Sequence, residues 1–377
     1  MAKVYDSIVI GGGILGCATA YEMAKLGSKV LLVDKGYIGS GSTGRCIGGI
    51  RQQFSTPATI RLAMESVSIF EQMEGIEWYP SGYLFLAQSE QEKIKYLEVM
   101  KIQQEMGLEV EFIEKKDVLS LVPMLNGDRV IGGTYCKRDG QANPFLVLKF
   151  YVDGIKKLGG KILTYSEAIK ICNEGNFFTT TLRDINSHKT AEFKSSIVVN
   201  AGGPWLNEVN SLIKGNQQLP VISECHEALI TEPTFPLFDP MLVSYSPSCY
   251  FQQLRGTGQI IGCYTPEQPI KGIDHNSTYN FASEFSSRVL KLIPGLADLR
   301  VLRSWTGWYE MTPDGNPIMG ETNIKGYWVI GGASGHGFMF GPALGKCLAE
   351  LICTGKACIS VKDFLLTRNF EEKEKFS

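Results

Sequence analysis

The sequence predicts an α/β (α+β) fold in which a Rossmann-like domain is interleaved with a smaller antiparallel-β domain. The chain opens with a strand–helix–strand unit that carries three spaced glycines, and a strand, glycine-rich turn and helix recur near its end. Residues 220–303 are rich in alternating β-like segments. Because 377 residues exceed one ordinary core, we expect two domains. We assign residues 1–80, 143–216 and 318–370 to the dinucleotide-binding domain, and residues 81–142 and 217–317 to the substrate-binding domain.

The opening unit, YDSIVIGGGILGCATAYEMAKLGSKVLLVDK, has the spacing of a dinucleotide fingerprint. Gly11 allows a tight turn, Gly13 lets the backbone approach a pyrophosphate, and Gly16 lets the helix pack closely on the strand. The free N–H groups at the start of the helix favour phosphate binding. Asp34 ends the second strand, where an acid accepts hydrogen bonds from a ribose. Together these features predict dinucleotide binding.

The composition argues against several other classes of protein. The formal net charge is -2 and no basic block occurs, which argues against a nucleic-acid partner. No apolar run approaches the ~18 residues of a membrane-spanning helix. The ten cysteines include no CxxC pair, and no secretory leader is recognised. We therefore expect a cytoplasmic protein, with a peripheral position at the membrane left open, and no metal or iron–sulfur site within the chain.

The loop after Asp34, GYIGSGSTGRCIGGIRQQFSTP, is predicted to pass the dinucleotide. Its small residues permit close approach, and Ser42, Thr43 and Arg45 could donate hydrogen bonds to phosphates. A plain glycine- and serine-rich loop is the alternative. Thr56 and the proline after it are predicted to begin a helix whose apolar face is core.

Residues 83–165 are predicted to form strand, helix, strand, short helix, turn, helix and strand. Ser89 and Glu92 form a capping box for the first of these helices, and Asn143 with Pro144 begins the last. The lysines and glutamates of the first of these helices are interpreted as a solvated face.

The second half of the chain repeats the opening pattern twice. Residues 177–182 and 191–193 are predicted to form a hairpin, and SIVVNAGGPW then gives a strand and a small-residue turn that faces the cofactor. Residues 220–303 are predicted to form an antiparallel sheet over the flavin or nicotinamide end of the dinucleotide. GYWVIGGASGHGFMFGPALGKCLAELI gives the last strand, turn and helix, and the C-terminal segment FEEKEKFS is predicted to be solvated.

Five separated motifs resemble a known family over nearly the whole chain. The fingerprint, GIRQQF, VVNAGGPW, WTGWYEMTPDGNPIMG and GASGHGFMFGPALGK occur in the order typical of the D-amino-acid oxidase and sarcosine oxidase (DAO) family of FAD enzymes. Within that family, GSGSTGRCIGGIRQQF, SGYLFL, DGQANPF and SGHGFMF resemble the beta subunits of dye-linked L-proline dehydrogenases and, next, of sarcosine oxidases. The resemblance implies that the Rossmann-like domain binds FAD.

The resemblance also implies oxidation of an amino acid at its Cα–N bond, with hydride transfer from Cα to flavin N5. Arg51, in IRQQF, matches an arginine near the substrate carboxylate, which a guanidinium binds in bidentate fashion. His336 matches a histidine beside the flavin, Tyr250 and Tyr309 match tyrosines around the substrate, and His226 lies on an inward-facing strand. The alternatives are a surface or ion-paired arginine, a histidine satisfied by backbone, and core aromatic residues.

The same motifs place a larger set of residues at the FAD. The set comprises Gly11, Gly13, Ile14, Leu15, Gly16, Asp34, Lys35, Ser42, Thr43, Arg45, Cys46, Ala168, Ala201, Gly202, Trp205, Gly307, Gly335, Gly337, Phe338 and Met339.

Four departures from the sarcosine oxidase pattern refine these implications. Gly307 stands where a cysteine holds FAD covalently, so noncovalent FAD is expected. Met339 replaces a carboxylate-binding lysine, which argues against sarcosine itself. Ile260 aligns with a lysine over the flavin that is associated with oxygen activation, so we expect slow reaction with oxygen. DGQANPF lacks the histidine that holds covalent FMN, so any FMN would be noncovalent and shared with a partner subunit.

The expected activity is that of an FAD-dependent dehydrogenase of a secondary amino acid, with L-proline as the best match, whose electrons pass to a partner subunit or an external acceptor. One alternative is a free-standing oxidase of glycine, sarcosine or a D-amino acid that produces hydrogen peroxide. Another is a flavin-bearing electron-transfer or assembly subunit without a substrate site. The choice among proline, hydroxyproline, sarcosine and glycine, and the stereochemistry, stay open.

Overall fold

Two large β-sheets and the helices around them form the predicted mixed α/β fold in the computed structural model, which describes residues 3–273, 276–371 and 373–375. The helices are α1 (Ile14–Lys25), α2 (Pro57–Phe70), α3 (Glu90–Glu105), α4 (Lys115–Leu121), α5 (Pro144–Lys157), α6 (Leu206–Ser211), α7 (Phe281–Leu292) and α8 (Gly337–Thr354). The strands are β1 (Lys3–Ile10), β2 (Val30–Val33), β3 (Gly49–Ile50), β4 (Tyr83–Ala87), β5 (Glu111–Glu114), β6 (Gly132–Cys136), β7 (Gly140–Gln141), β8 (Lys161–Leu163), β9 (Ser166–Asn173), β10 (Phe178–Asp184), β11 (Thr190–Asn200), β12 (Ile222–Pro233), β13 (Met241–Tyr245), β14 (Ser248–Gln253), β15 (Gln259–Cys263), β16 (Ile270–Lys271), β17 (Val301–Met311), β18 (Ile318–Glu321) and β19 (Tyr327–Gly331).

The first sheet is parallel at its centre. β1 lies between β2 and β11, and β8 and β19 extend the parallel order on either side. β18 and the pair of β9 and β10 add antiparallel strands. α1 packs against α5 and α8, and α8 packs against α2. Because β1, β2 and β11 run in the same direction, their carboxyl ends meet at one edge, which is where ligands bind in such sheets.

The second sheet has nine strands in the order β16, β12, β15, β14, β13, β4, β6 and β5, and β17 also pairs with β12. Its neighbours are antiparallel, except for β13 and β4. Its strands come from residues 83–136 and 222–311, whereas those of the first sheet come from residues 3–33, 161–200 and 318–331. The domain boundaries stay a prediction, which this distribution supports.

The predicted hairpin is present, because β10 pairs antiparallel with β11, but its second strand is longer than predicted. Residues 191–193 and the following SIVVN strand form one continuous strand, and β1 pairs with it from Lys3 opposite Phe193 to Ile10 opposite Asn200. Exposed polar residues in the first half of both strands hid this pairing, because they break the apolar pattern of a buried strand.

Several elements were missed, and the turn predicted between the short helix and α5 is wrong in part, because it contains β6 and β7, which pair with β4 and β3 in the folded chain. β9 is mostly half-buried and has little apolar pattern. α7 lies inside the segment predicted to be all β, although its buried side chains Phe281, Phe285, Val289 and Leu292 recur at the helical period.

The C-terminal segment corrects a further prediction. Residues 372, 376 and 377 lie outside the described residues, but Glu374 is only 6% exposed and its carboxylate is buried against the start of α2. The segment is therefore not wholly solvated. The burial could not be predicted, because the hydrogen-bond donors to Glu374 come from distant residues at the start of α2 and leave no pattern in the charged C-terminal segment.

Candidate active site

A cavity of about 440 Å³ lies between the carboxyl ends of the parallel strands and the second sheet. Its wall includes the ends of β1 and β2, the turn after β11, and side chains of β12, β14 and β17. The wall contains all the predicted site residues except Gly16, namely Gly11, Gly13, Ile14, Leu15, Asp34, Lys35, Ser42, Thr43, Arg45, Cys46, Arg51, Ala168, Ala201, Gly202, Trp205, His226, Tyr250, Gly307, Tyr309, Gly335, His336, Gly337, Phe338 and Met339.

The fingerprint glycines bring three chain segments together. Gly11 has a φ of +116° and donates its N–H to the carbonyl of Val33, while the N–H of Ala201 bonds to Ile10. A Cβ on Gly11 would clash with the carbonyl oxygen of Ala201, and one on Gly16 would clash with that of Gly11. Gly16 therefore contributes close packing and does not line the cavity.

Asp34 joins two loops at the cavity wall. Its Oδ2 accepts a hydrogen bond from the N–H of Gly12 at 2.6 Å, and its Oδ1 accepts one from the N–H of Gly36 at 2.6 Å. The ammonium of the next residue, Lys35, lies 3.7 Å from the ring centroid of Trp205, and partial burial lowers the pKa of Lys35. Contact of Asp34 with a ribose stays a prediction.

The polar groups of the loop after β2 form hydrogen bonds with other groups of the protein. The hydroxyl of Thr43 accepts a hydrogen bond from the N–H of Ile14, at the start of α1. Ser42 Oγ donates to the carbonyl of Trp308 at 2.8 Å, and the Arg45 guanidinium donates to the carbonyls of Ser40 and Gly41. These bonds fix the loop beside β17, and donation to phosphates by these three side chains stays a prediction.

Glu310 is a buried acid of the wall that the sequence analysis missed. It is 7% exposed, and its Oε1 lies 3.2 Å from Ser42 Oγ. Burial raises the pKa of Glu310 to about 7, and Ser42 opposes that rise only in part. No ion pair to Glu310 is present in the described ranges. The sequence signal that could have identified it is an acid flanked by aromatic and apolar residues in the strand WYEMT, a pattern that indicates a buried carboxyl group.

Arg51 and His336 meet in the same wall. The Arg51 guanidinium is 6% exposed, donates to the carbonyl of Gln53, and lies 3.0 Å from Nε2 of His336. Its Cζ is 4.0 Å from the ring centroid of Phe54. Burial, reinforced by the charge of Arg51, lowers the pKa of His336 well below its usual value. His336 is therefore a neutral acceptor beside a permanent cation.

A second group consists of two tyrosines and a histidine. The hydroxyl oxygens of Tyr250 and Tyr309 are 2.7 Å apart, and the ring of His226 stacks on that of Tyr309 with centroids 3.8 Å apart. Burial raises the pKa of both tyrosines and lowers the pKa of His226 to about 4. All three side chains are thus uncharged at neutral pH.

Further aromatic and apolar residues of the wall were not predicted as site residues. They are Tyr83, Phe85, Met241, Val243 and Tyr245. The SGYLFL motif contains the first two. A fully apolar strand predicts only core residues, so the sequence gives no sign that Tyr83 and Phe85 face a cavity.

The position assigned to Ile260 was wrong. Its side chain is 2% exposed and belongs to the apolar core of the second sheet. From the same strand, Cys263 lines the cavity. The sequence argument for slow reaction with oxygen therefore loses its basis.

The wall fits a dinucleotide. Gly13 is the N-cap residue of α1 and has no side chain to occupy the N–H groups of the first helical turn, and the glycine-rich turns leave backbone exposed to a ligand. Across residues 3–273, 276–371 and 373–375, no group of three or more His, Cys, Asp or Glu side chains could hold a metal ion. No helix within these ranges is long and apolar enough to cross a bilayer.

Comparison with known proteins confirms the resemblance carried by the five motifs. The sequence profile of the FAD dependent oxidoreductases, DAO, matches residues 6–351. Sarcosine oxidase subunit beta from Rhodobacter capsulatus is 29% identical over 369 residues, which cover 94% of this chain and 86% of that protein. L-proline dehydrogenase from P. horikoshii superposes with a TM-score of 0.92 and 34% identity over 98% of both chains. Glycine oxidase from Geobacillus kaustophilus, at 23% identity and a TM-score of 0.86 over 98% of this chain and 100% of that chain, shares the fold.

Proposed function

The chain belongs to the DAO family of FAD dependent oxidoreductases, and we propose that it is a dehydrogenase that oxidises the Cα–N bond of a secondary amino acid, with L-proline as the first candidate. The observation that carries the proposal is the buried guanidinium of Arg51, in an aromatic wall and beside a neutral His336. Similarity to a protein named L-proline dehydrogenase and to one named sarcosine oxidase subunit beta supports it.

Arg51 binds the substrate carboxylate. A guanidinium forms two parallel N–H···O bonds to a carboxylate, and burial strengthens them because little water competes. The rings of Phe54 and Phe85 flank this guanidinium and restrict its orientation. A fixed carboxylate in turn fixes Cα in the cavity.

The substrate binds productively as the neutral amine. Arg51 is positively charged, and His226, His336, Tyr250 and Tyr309 are uncharged, so these five side chains together favour loss of the ammonium proton to solvent before binding. The nitrogen lone pair that results is the group that assists departure of the hydride from Cα. The hydroxyl pair of Tyr250 and Tyr309 can orient the amine by hydrogen bonding.

FAD, when bound, supplies the redox chemistry by accepting the hydride at N5, and the product is an imine. The fingerprint turn and the start of α1 would hold its diphosphate, and Asp34 would accept from its ribose. Gly307 offers no thiol for a covalent link, which supports noncovalent FAD.

The electron acceptor is proposed from the relatives alone. Similarity to a sarcosine oxidase subunit favours a hetero-oligomer in which a partner subunit, with or without a shared noncovalent FMN, receives the electrons. An external acceptor is the simpler form of the same proposal.

The proposal is tested by anaerobic bleaching of the ~450 nm band of the oxidised flavin with L-proline, D-proline, sarcosine and glycine. We expect rapid bleaching by L-proline and, because the similar structure is named a dehydrogenase, slower recovery in air than with a dye. Bleaching by none of the four would contradict an amino-acid dehydrogenase acting alone and favour a flavin-bearing subunit that needs its partner.

A free-standing oxidase is the second candidate, because a curated glycine oxidase from Bacillus licheniformis is 24% identical over 93% of this chain. Stoichiometric hydrogen peroxide, formed in air from glycine or a D-amino acid, would select it over the dehydrogenase.

A further inference from the structure

The segment between β3 and α2 carries Arg51 and has little regular structure of its own. Residues 51–54 lie outside helices and strands, and α2 begins only at Pro57. Even so, the segment is buried throughout, including the polar side chains Gln52, Gln53 and Ser55. Its conformation therefore depends on contacts with other parts of the chain.

One of these contacts comes from Asp139. Its Oδ1 accepts hydrogen bonds from the backbone and the side-chain amide of Gln52, both at 2.9 Å, and its Oδ2 accepts one from Gln53 at 3.2 Å. Gln103 adds a hydrogen bond to the carbonyl of Phe54 at 2.8 Å. These bonds hold the first half of the segment.

The second half is held by Glu374, from the C-terminal segment. Its carboxylate accepts hydrogen bonds from the N–H and the hydroxyl of Ser55, from the N–H of Thr56 and from the hydroxyl of Thr59. The hydroxyl bonds are 2.5 and 2.7 Å long. A carboxylate that accepts several bonds at the start of a helix also interacts favourably with the helix dipole.

The C-terminal segment is itself fixed beside the cavity. The guanidinium of Arg368 forms a buried ion pair with Asp314 at 2.8 Å, and the N–H of Glu374 donates to the carbonyl of Asp314. Asp314 lies in the TPDGNP turn that follows β17, the strand that carries Tyr309. Glu374 thus bridges this turn and the segment of Arg51.

We propose that Glu374 is a positioning residue for the carboxylate anchor Arg51, an inference that rests on the proposed function. Glu374 fixes Ser55 and Thr56, and the adjacent residues Gln53 and Phe54 are those that contact the guanidinium through a carbonyl and a ring. Loss of the Glu374 carboxylate frees the second half of the segment. The guanidinium then no longer holds the orientation that bidentate binding requires.

The test compares Glu374→Ala, Glu374→Gln and the control Glu371→Ala, which removes an exposed carboxylate from the same segment. The dissociation constant of pyrrole-2-carboxylate, measured on holoenzyme by perturbation of the flavin spectrum, is expected to rise roughly 10- to 100-fold in Glu374→Ala, since small misplacements of a binding group have costs of that size. KM for L-proline should rise in parallel, with kcat and FAD content little changed. Glu374→Gln keeps one accepting oxygen and should show a smaller rise, while Glu371→Ala should match wild type.

Arg51→Ala, measured in the same way, separates the two proposals. If Arg51→Ala weakens carboxylate binding but the Glu374 variants lower only the melting temperature, Glu374 is a structural residue and the inference is overturned. If Arg51→Ala binds pyrrole-2-carboxylate as wild type does, the anchor itself is wrong. Should Glu374→Ala not fold, Glu374→Gln decides on the same measurement.

Discussion

The Arg51 guanidinium and Nε2 of His336 lie 3.0 Å apart, although 285 positions separate the two residues in the sequence. Because the pKa of His336 is held well below its usual value, Nε2 is an unprotonated acceptor and the ring proton sits on Nδ1. Nδ1 has no hydrogen-bond partner among the described residues. The pair therefore combines a buried cation with a buried N–H that has no partner in the part of the chain that the structure describes.

Replacement of Arg51 by alanine should abolish saturation with amino acids while FAD is retained. Loss of two charge-assisted hydrogen bonds costs about 3 kcal/mol or more, which corresponds to at least a ~100-fold rise in KM. The measurement is steady-state kinetics together with flavin content per protein. Unchanged apparent affinity for carboxylate substrates would show that another group binds the carboxylate.

Replacement of His336 by asparagine should leave the shape of the pH profile of kcat/KM unchanged around pH 6.5, the usual pKa of an imidazole. Burial and Arg51 lower the pKa of His336 well below that value, so its titration contributes no inflection there. The value of kcat/KM should fall about tenfold, the cost of one hydrogen bond to a charged group. An inflection near pH 6.5 that is present in wild type and absent in the variant would contradict a neutral His336.

The hydroxyls of Tyr250 and Tyr309 should behave as a coupled pair. Tyr250→Phe leaves the buried Tyr309 hydroxyl without its 2.7 Å partner, so each single variant should lose roughly 1–3 kcal/mol of unfolding free energy. The double variant should lose less than the sum, because neither hydroxyl is then left unpaired. Denaturant unfolding of the wild type, the two single variants and the double variant measures the coupling free energy. Strictly additive losses of unfolding free energy would argue against a direct hydrogen bond between the two hydroxyls.

Glu310 should make the apoprotein less stable as pH rises. Its pKa is raised from 4.5 to about 7, so above pH 4.5 the unfolded chain binds fewer protons at this site than the folded chain does. The stabilising contribution is complete below pH 4.5, falls as pH rises to about 7, and amounts to on the order of 3 kcal/mol. Glu310→Gln should remove this part of the pH dependence, as measured by urea unfolding at several pH values. A wild-type and variant difference that is constant across this window would show that Glu310 is charged in the folded state.

The parts of the site that could be predicted are those with local signals. The spacing of Gly11, Gly13 and Gly16 belongs to one strand–helix turn. Arg51 and His336 each stand in a compact motif. Their places in one site could therefore be predicted from the sequence, and both residues line the cavity. The bounds of strand β4 were predicted exactly, and so was the start of α5 at Pro144. Both predictions rest on equally local patterns of apolar residues and caps.

The parts that could not be predicted depend on distant contacts. Glu310 occupies a strand position where an acid normally faces water, and only the packing of the cavity loops buries it. Glu374 stands among charged residues and meets its donors more than 300 positions earlier in the chain. Ile260 shows a third limit, because its resemblance to a residue over the flavin gave no sign that this fold buries the side chain in the core of the second sheet.

His336 also occupies the N-cap position of α8, the helix that packs along α1 at the fingerprint. The residue beside the proposed substrate anchor and the helix that follows the fingerprint turn are therefore joined through the packing of α8 on α1. Any change in substrate affinity that cofactor binding causes through this contact must be matched by an equal change in cofactor affinity that substrate binding causes.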